Sequence, residues 1–143
     1  MLNYMIYDKP HTTIYTTQSE KIIKCHMTHV INTMLSQCYN DLISYKKHYK
    51  VMHGNTYHTP IFINAQTTLI VIYGLRNTYN IAVNICAIEY LNHYHGMCEI
   101  QFENDRIVVQ KSCKYLKKMI ENANQIYTKL LENIFIGGYL KIS

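Results

Sequence analysis

The chain has 143 residues, of which 48% are hydrophobic and 16% are charged, and its formal net charge is +5 at pH 7. This composition excludes an intrinsically disordered protein, and the length predicts one domain with a core of its own. The positive charge favours a polyanionic partner, because Lys/Arg outnumber Asp/Glu by six to three in residues 1–60 and by five to two in residues 113–143.

Two strands are predicted at the start of the chain. Residues 2–7 and 12–17 are short runs rich in Ile, Tyr and Thr, and the segment Asp8-Lys9-Pro10 between them has the composition of a turn. Together they predict an opening hairpin.

A helix is predicted next, over about residues 19–36. Thr17-Gln18-Ser19-Glu20 matches a capping box, in which the first hydroxyl and the last carboxylate satisfy exposed N–H groups at a helix start. Apolar residues then recur at helical spacing from Ile23 to Cys38. The pattern favours helix most strongly over 19–30 and leaves 31–45 open between helical and extended structure.

The middle of the chain is dense in β-branched residues. Residues 61–63 and 69–73 flank the polar segment Asn64-Ala65-Gln66-Thr67 and predict a second hairpin. Residues 81–91 combine alternating apolar positions with a possible short helix, and we interpret them as strand.

The clearest predicted β element is a hairpin over residues 98–110. Its apolar residues can share one face across a turn at Asn104-Asp105. These residues are Ile100, Phe102, Ile107 and Val109.

The last predicted element is an amphipathic helix that begins after Ser112, a good N-cap residue, and ends at Gly137-Gly138. Apolar residues recur along it at helical spacing from Leu116 to Ile134. With the preceding elements it predicts a single domain over residues 1–143 of the α+β class. Antiparallel β hairpins form a sheet in this domain, with one helix in the N-terminal half and an amphipathic helix at the C-terminal end.

The order of elements over residues 59–112 resembles the competence transcription factor family, the ComK-like proteins. The resemblance rests on Pro60-Ile61 opening an apolar strand, Arg76 in a turn, the segment 80–84 leading into a strand, and the hairpin over 98–109. Upstream, Cys38 and Ser44-Tyr45-Lys46-Lys47 are similar to the family's Ser-Cys, Tyr and basic-loop region, and His58 matches a family histidine. Ile72 and Tyr73 depart from the family's Phe-Phe-Pro-Thr segment and Ala82 replaces an expected tryptophan, which indicates a short or divergent member.

The resemblance implies a transcriptional regulator that binds A/T-rich double-stranded promoter DNA as a homo-oligomer. It also implies a proteolytic adaptor as a further partner, although no residue of this chain is singled out for that contact. No cofactor is implied. The alternative is a paralogue that no longer binds DNA and modulates a related regulator through protein contacts.

Eight residues are predicted to contact DNA. Lysines and a tyrosine interleave in one basic segment, which suits phosphate contact, and a turn arginine suits a narrow A/T minor groove. The remaining lysines lie at the start of the C-terminal helix, against the dipole preference for acids there. The eight are Tyr45, Lys46, Lys47, Lys50, Arg76, Lys114, Lys117 and Lys118. Their structural alternatives are a solvated loop, an arginine that caps carbonyl groups, and a solvated helix face.

Catalysis and metal binding are not expected. The chain has no Gly-x-Ser-x-Gly motif, no glycine-rich phosphate loop and no evident pair of carboxylates. The chain has two sets of potential metal ligands, one of Cys25, His26 and His29, the other of Cys86, His93, His95 and Cys98. Neither has the paired spacing of a structural zinc module.

A cytoplasmic location is expected. The N-terminus lacks the basic and long apolar regions of a secretory signal, and no segment approaches the roughly 18 apolar residues of a membrane-spanning helix. The five cysteines cannot all pair within one chain and include no Cys-x-x-Cys motif, as is typical of reduced thiols.

Overall fold

The computed structural model describes residues 1–37, 60–74 and 77–132, with the side chains of the last helix described as far as residue 126. The strands in these ranges are β1 (Leu2–Asp8), β2 (His11–Thr16), β3 (Glu20–Ile23), β4 (Ile61–Asn64), β5 (Thr67–Val71), β6 (Tyr79–Asn84), β7 (Tyr90–Tyr94), β8 (Met97–Gln101) and β9 (Arg106–Val109). The helices are α1 (Met27–Ser36) and α2 (Cys113–Glu132), and a 3₁₀ turn covers Ile85–Ala87. This arrangement confirms the predicted α+β class.

The strands described form a large and a small antiparallel sheet. The large sheet has the order β3-β2-β1-β6-β5-β4, and the small sheet has the order β7-β8-β9. β1 lies in the middle of the large sheet, where Ile6 is opposite Thr13 on one side and Ile81 on the other. The three predicted hairpins are therefore confirmed as β1–β2, β4–β5 and β8–β9.

Each face of the large sheet covers its own apolar core. Alternation along β1 sends Met5 and Tyr7 to one face and Tyr4 to the other. The first face packs against α1, whose buried residues are Met27, Val30, Ile31 and Leu35. The second face packs against the small sheet and α2, which contribute Cys98, Ile100, Phe102, Val109, Cys113 and Leu116.

Two tyrosine hydroxyls attach the β8–β9 hairpin to the large sheet. The Tyr4 hydroxyl donates a hydrogen bond to the Asp105 carboxylate in the hairpin turn. At the other end of the hairpin, the Tyr73 hydroxyl accepts a hydrogen bond from the Gln110 backbone N–H at 2.9 Å. Burial and the bond to Asp105 raise the pKa of Tyr4, so its hydroxyl keeps the proton that this bond requires.

A buried asparagine joins three parts of the large sheet. Asn84 is fully buried, and its side-chain N–H groups donate to the carbonyls of Leu2 at 2.7 Å and Gln66 at 3.0 Å. Its side-chain oxygen accepts from the backbone N–H groups of Thr68 at 3.0 Å and Cys86 at 3.2 Å. This one side chain therefore satisfies four backbone groups, drawn from β1, the β4–β5 hairpin and the 3₁₀ turn.

The predicted helix over residues 19–36 is wrong over its first eight residues, 19–26. Glu20–Ile23 forms the edge strand β3, paired with β2, and α1 begins only at Met27. Thr16 closes the intervening turn, since its hydroxyl accepts from the backbone N–H of Ser19 at 3.0 Å. The N-cap of α1 is His26, whose Nδ1 accepts from the Thr28 N–H at 3.1 Å. Ile23 and Met27 are four residues apart and so fit helical spacing, although Ile23 ends strand β3 and Met27 begins helix α1.

The predicted single strand over residues 81–91 is divided. β6 ends at Asn84, the 3₁₀ turn follows, and β7 begins at Tyr90 in the small sheet. The alternating apolar pattern therefore corresponds to β6, and the possible short helix corresponds to the 3₁₀ turn that follows it.

The predicted amphipathic helix is confirmed as α2. The Ser112 hydroxyl caps it by accepting from the Tyr115 N–H at 3.1 Å. The predicted end at Gly137-Gly138 lies outside the described residues. Within the ranges that the structure describes, no helix combines the length and the apolar character that crossing a bilayer requires.

Candidate nucleic-acid interface

The first two turns of α2 carry lysines on the side that faces solvent. Lys114, Lys117 and Lys118 are exposed, whereas Cys113 and Leu116 are buried against the small sheet. The first turn of α2 contains no acidic residue. The helix dipole places partial positive charge at this end as well, so the surface attracts anions. Three of the eight predicted contact residues are thus brought together.

Lys111 extends this group, although it was not among the predicted contacts. Its ammonium group lies 5.0 Å from the centre of the Tyr115 ring, which holds the side chain beside α2. Lys111 stands two residues before the helix start and close in sequence to the three helix lysines, which is the sequence signal that could have identified it. We call Lys111, Lys114, Lys117 and Lys118 the lysine cluster.

The other five predicted contacts, Tyr45, Lys46, Lys47, Lys50 and Arg76, lie outside the described residues. The described residues nearest to the Arg76 position are Gly74 and Asn77. Asn77 N–H donates to the Gly74 carbonyl at 3.0 Å, and Tyr73 is bonded to Gln110, which precedes Lys111. Tyr73 therefore lies close to the segment that leads into α2.

A groove of about 410 Å³ lies at this junction of the two sheets. It is lined by Tyr73, Asn77, Thr78, Tyr79, Ile81, Val108 and Gln110. Partial burial raises the pKa of Tyr79, and the neighbouring Tyr73 and Asp8 raise it further, so the Tyr79 hydroxyl is a neutral donor at physiological pH. Tyr79 was not among the predicted contacts, since its alternation with Ile81 and Val83 marks it only as the end of a buried strand face.

Two thiols lie behind the lysine cluster. Cys98 of β8 and Cys113 of α2 are both buried, and their side chains are in hydrogen-bond contact. Burial and this contact raise the pKa of Cys98 to about 12. Since the thiolate is the reactive form, Cys98 is a structural thiol rather than a nucleophile.

The raised pKa of Cys98 predicts a loss of stability in alkali. The protonated Cys98 thiol contributes to the free energy of unfolding in full below the ordinary thiol pKa of 9.0. This contribution is lost as the pH rises through about 12, because the thiol ionises first in the unfolded chain. We therefore expect the free energy of unfolding, measured in urea between pH 8.5 and 10, to fall with pH less steeply in Cys98→Ala than in the wild type. Cys86→Ala, which removes an exposed thiol, should keep the wild-type slope. Equal slopes in all three proteins would contradict the assignment.

Neither set of potential metal ligands is assembled. In the part of the chain that the structure describes, no three His, Cys, Asp or Glu side chains come close enough to hold a metal ion. Cys98, a member of one set, is buried in the core instead.

No family model, curated protein or solved structure matches the chain. Support for any function of this protein therefore comes from its own residues. Those residues are the lysine cluster and the groove beside it.

Proposed function

We propose that this chain is a DNA-binding transcriptional regulator resembling the competence transcription factor family. It acts in the cytoplasm as a homo-oligomer and binds A/T-rich duplex DNA. The observation that carries the proposal is the lysine cluster, which places four cations within eight residues at the positive end of α2.

The lysine cluster suits the phosphate backbone of a duplex. Lysine ammonium groups supply most of the sequence-independent affinity of DNA-binding proteins, because each neutralised phosphate releases counterions. Phosphate contacts also fix the position of the protein along the duplex. The buried face of α2 holds the helix against the small sheet, so the lysines are presented from a rigid element.

Two of the three departures from the family pattern lie away from this surface. Ile72 and Ala82 are fully buried in the two cores. Their identity affects packing rather than the exposed charge. Tyr73, the third departure, lines the groove. The preference for A/T-rich sites rests on the resemblance and on Arg76, whose guanidinium would enter a narrow minor groove.

Replacing Lys114, Lys117 and Lys118 together by alanine is expected to weaken duplex binding and to flatten its dependence on salt. The slope of log K against log salt should fall by about one for each lysine that contacts a phosphate. The measurement is fluorescence anisotropy of labelled A/T-rich and G/C-rich duplexes of equal length over a salt series.

The matched control is Lys24→Ala. This exposed lysine precedes α1, on the opposite face of the large sheet, so its removal lowers the net charge without touching the cluster. A wild-type salt slope in the triple variant would show that α2 is not part of the DNA interface. Equal affinity of the wild-type protein for the two duplexes would contradict the proposed A/T preference.

A protein-interaction modulator is the second candidate, and an apolar groove favours it. This groove of about 400 Å³ lies between α1 and strands β1 to β3, and Met5, Ile14, Ile23, Val30 and Met34 are among its lining residues. Grooves lined mainly by apolar side chains are typical binding sites for partners. Wild-type protein that fails to bind either duplex at low salt would favour this candidate over the first.

A further inference from the structure

The groove beside the lysine cluster leaves aromatic and apolar surface open to solvent. Tyr79 is 46% exposed and Val108 is 40% exposed on its walls. Tyr73 supports Tyr79 from the side, with ring centroids 6.5 Å apart. An exposed aromatic ring beside an apolar wall is a surface on which another planar ring can stack.

Polar groups surround this stacking surface. The Tyr73 hydroxyl accepts from the Gln110 N–H and retains its own O–H as a donor. The side chains of Asn77, Thr78 and Gln110 also line the groove and carry both donors and acceptors. Such groups can hydrogen-bond the edge of a nucleobase whose face is stacked.

Lys9 and Lys111 adjoin residues that line the groove. The Lys9 backbone N–H donates to the Thr78 carbonyl at 3.0 Å, and Lys111 follows Gln110 directly. Asp8 lies opposite Tyr79 across the β1–β6 pair and brings a carboxylate to the Lys9 side. A polyanion is therefore attracted most strongly to the Gln110 side of the groove, where the chain continues into the lysine cluster.

We propose that this groove binds single-stranded nucleic acid, with an unpaired base stacked on Tyr79 and the adjacent phosphates on Lys111 and Lys114. In a duplex the faces of the bases are covered by their neighbours, so the Tyr79 ring can serve only a base outside the stack. The groove volume is at the lower end of the roughly 300–1,000 Å³ of ligand sites, which suits a base better than a larger ligand. The phosphate contacts rest on the proposed function, whereas the stacking contact does not.

Tyr79→Ala is expected to weaken binding of a fluorescein-labelled 12-nucleotide oligothymidylate about tenfold, within the range measured for loss of one stacked base. Tyr79→Leu should show the same loss, because it keeps apolar bulk without a ring. Tyr79→Phe should stay within about twofold of the wild type, since stacking requires the ring and not the hydroxyl. The matched control is Tyr90→Ala, which removes a strand tyrosine outside the groove that is 56% exposed.

Anisotropy at fixed low salt measures all four variants, and circular dichroism checks that each is folded. Wild-type affinity for oligothymidylate in Tyr79→Ala or Tyr79→Leu would overturn the inference, as would failure of the wild type to bind oligothymidylate. Measurement of duplex affinity distinguishes a failure of this inference from a failure of the proposed function. The lysine variants should lose duplex binding and the Tyr79 variants should keep it, so either site can fail while the other stands.

Discussion

Replacing Asn84 by alanine is expected to lower the free energy of unfolding by about 3 kcal/mol, because it removes the four hydrogen bonds of a fully buried side chain and leaves the buried Thr68 N–H without a partner. The side chain is fully buried and satisfies carbonyls of Leu2 and Gln66 together with N–H groups of Thr68 and Cys86. The Thr68 N–H lies in the buried part of the sheet, so it cannot replace its lost bond with one to water. Urea unfolding followed by circular dichroism measures the change.

Two further variants test the reason for this loss. Asn84→Asp keeps the shape but removes both donors, so it should be at least as damaging as alanine. Asn64→Ala removes an exposed asparagine that accepts a single bond from the Gln66 N–H, and it should cost about 1 kcal/mol or less. A loss at Asn84 no larger than at Asn64 would show that the four bonds do not hold the sheet together.

The second large effect is expected at Leu116 on the buried side of α2. Leu116 is 1% exposed and packs in the core between the small sheet and the large one. Leu116→Ala should lower the free energy of unfolding by about 2–5 kcal/mol, the usual cost of a leucine-sized cavity. Thermal and urea unfolding report this change.

Lys118→Ala is the control for Leu116→Ala, since the two positions lie on opposite faces of one helix. The lysine is exposed, so its removal should change stability by less than about 0.5 kcal/mol while weakening duplex binding. Leu116→Ala should retain duplex binding under conditions in which it is folded. If the stability loss appeared at Lys118 and the binding loss at Leu116, the orientation of α2 would be wrong.

Most of the fold could be predicted from sequence because its elements carry strong local signals. The β8–β9 hairpin has alternating apolar residues on both sides of a polar turn, and α2 has a serine cap followed by a regular apolar stripe. Such patterns need no knowledge of distant contacts. The lysines at 114, 117 and 118 were identified for the same reason, since a helical stripe determines which residues face solvent.

The remainder depends on contacts between distant parts of the chain. Glu20–Ile23 becomes a strand because β2 offers it an edge, and no local pattern reveals that partner. The groove forms because Tyr73 and Tyr79 meet Val108 and Gln110 from the other sheet. A single tyrosine at the end of a strand does not indicate a contact with residues of the other sheet, so the stacking surface could not be predicted.

The central position of β1 sets the order in which this protein can fold. β1 and β2 are neighbours in the chain, but Tyr4 also pairs with Val83, about 80 residues away. The N-terminal hairpin can therefore form early, while the β1 edge that receives β6 stays open until that long segment closes. Long-range antiparallel closure is slow compared with local pairing. During synthesis, β1 accordingly presents an unpaired edge until β6 leaves the ribosome, which is the interval of greatest exposure to aggregation or chaperone capture.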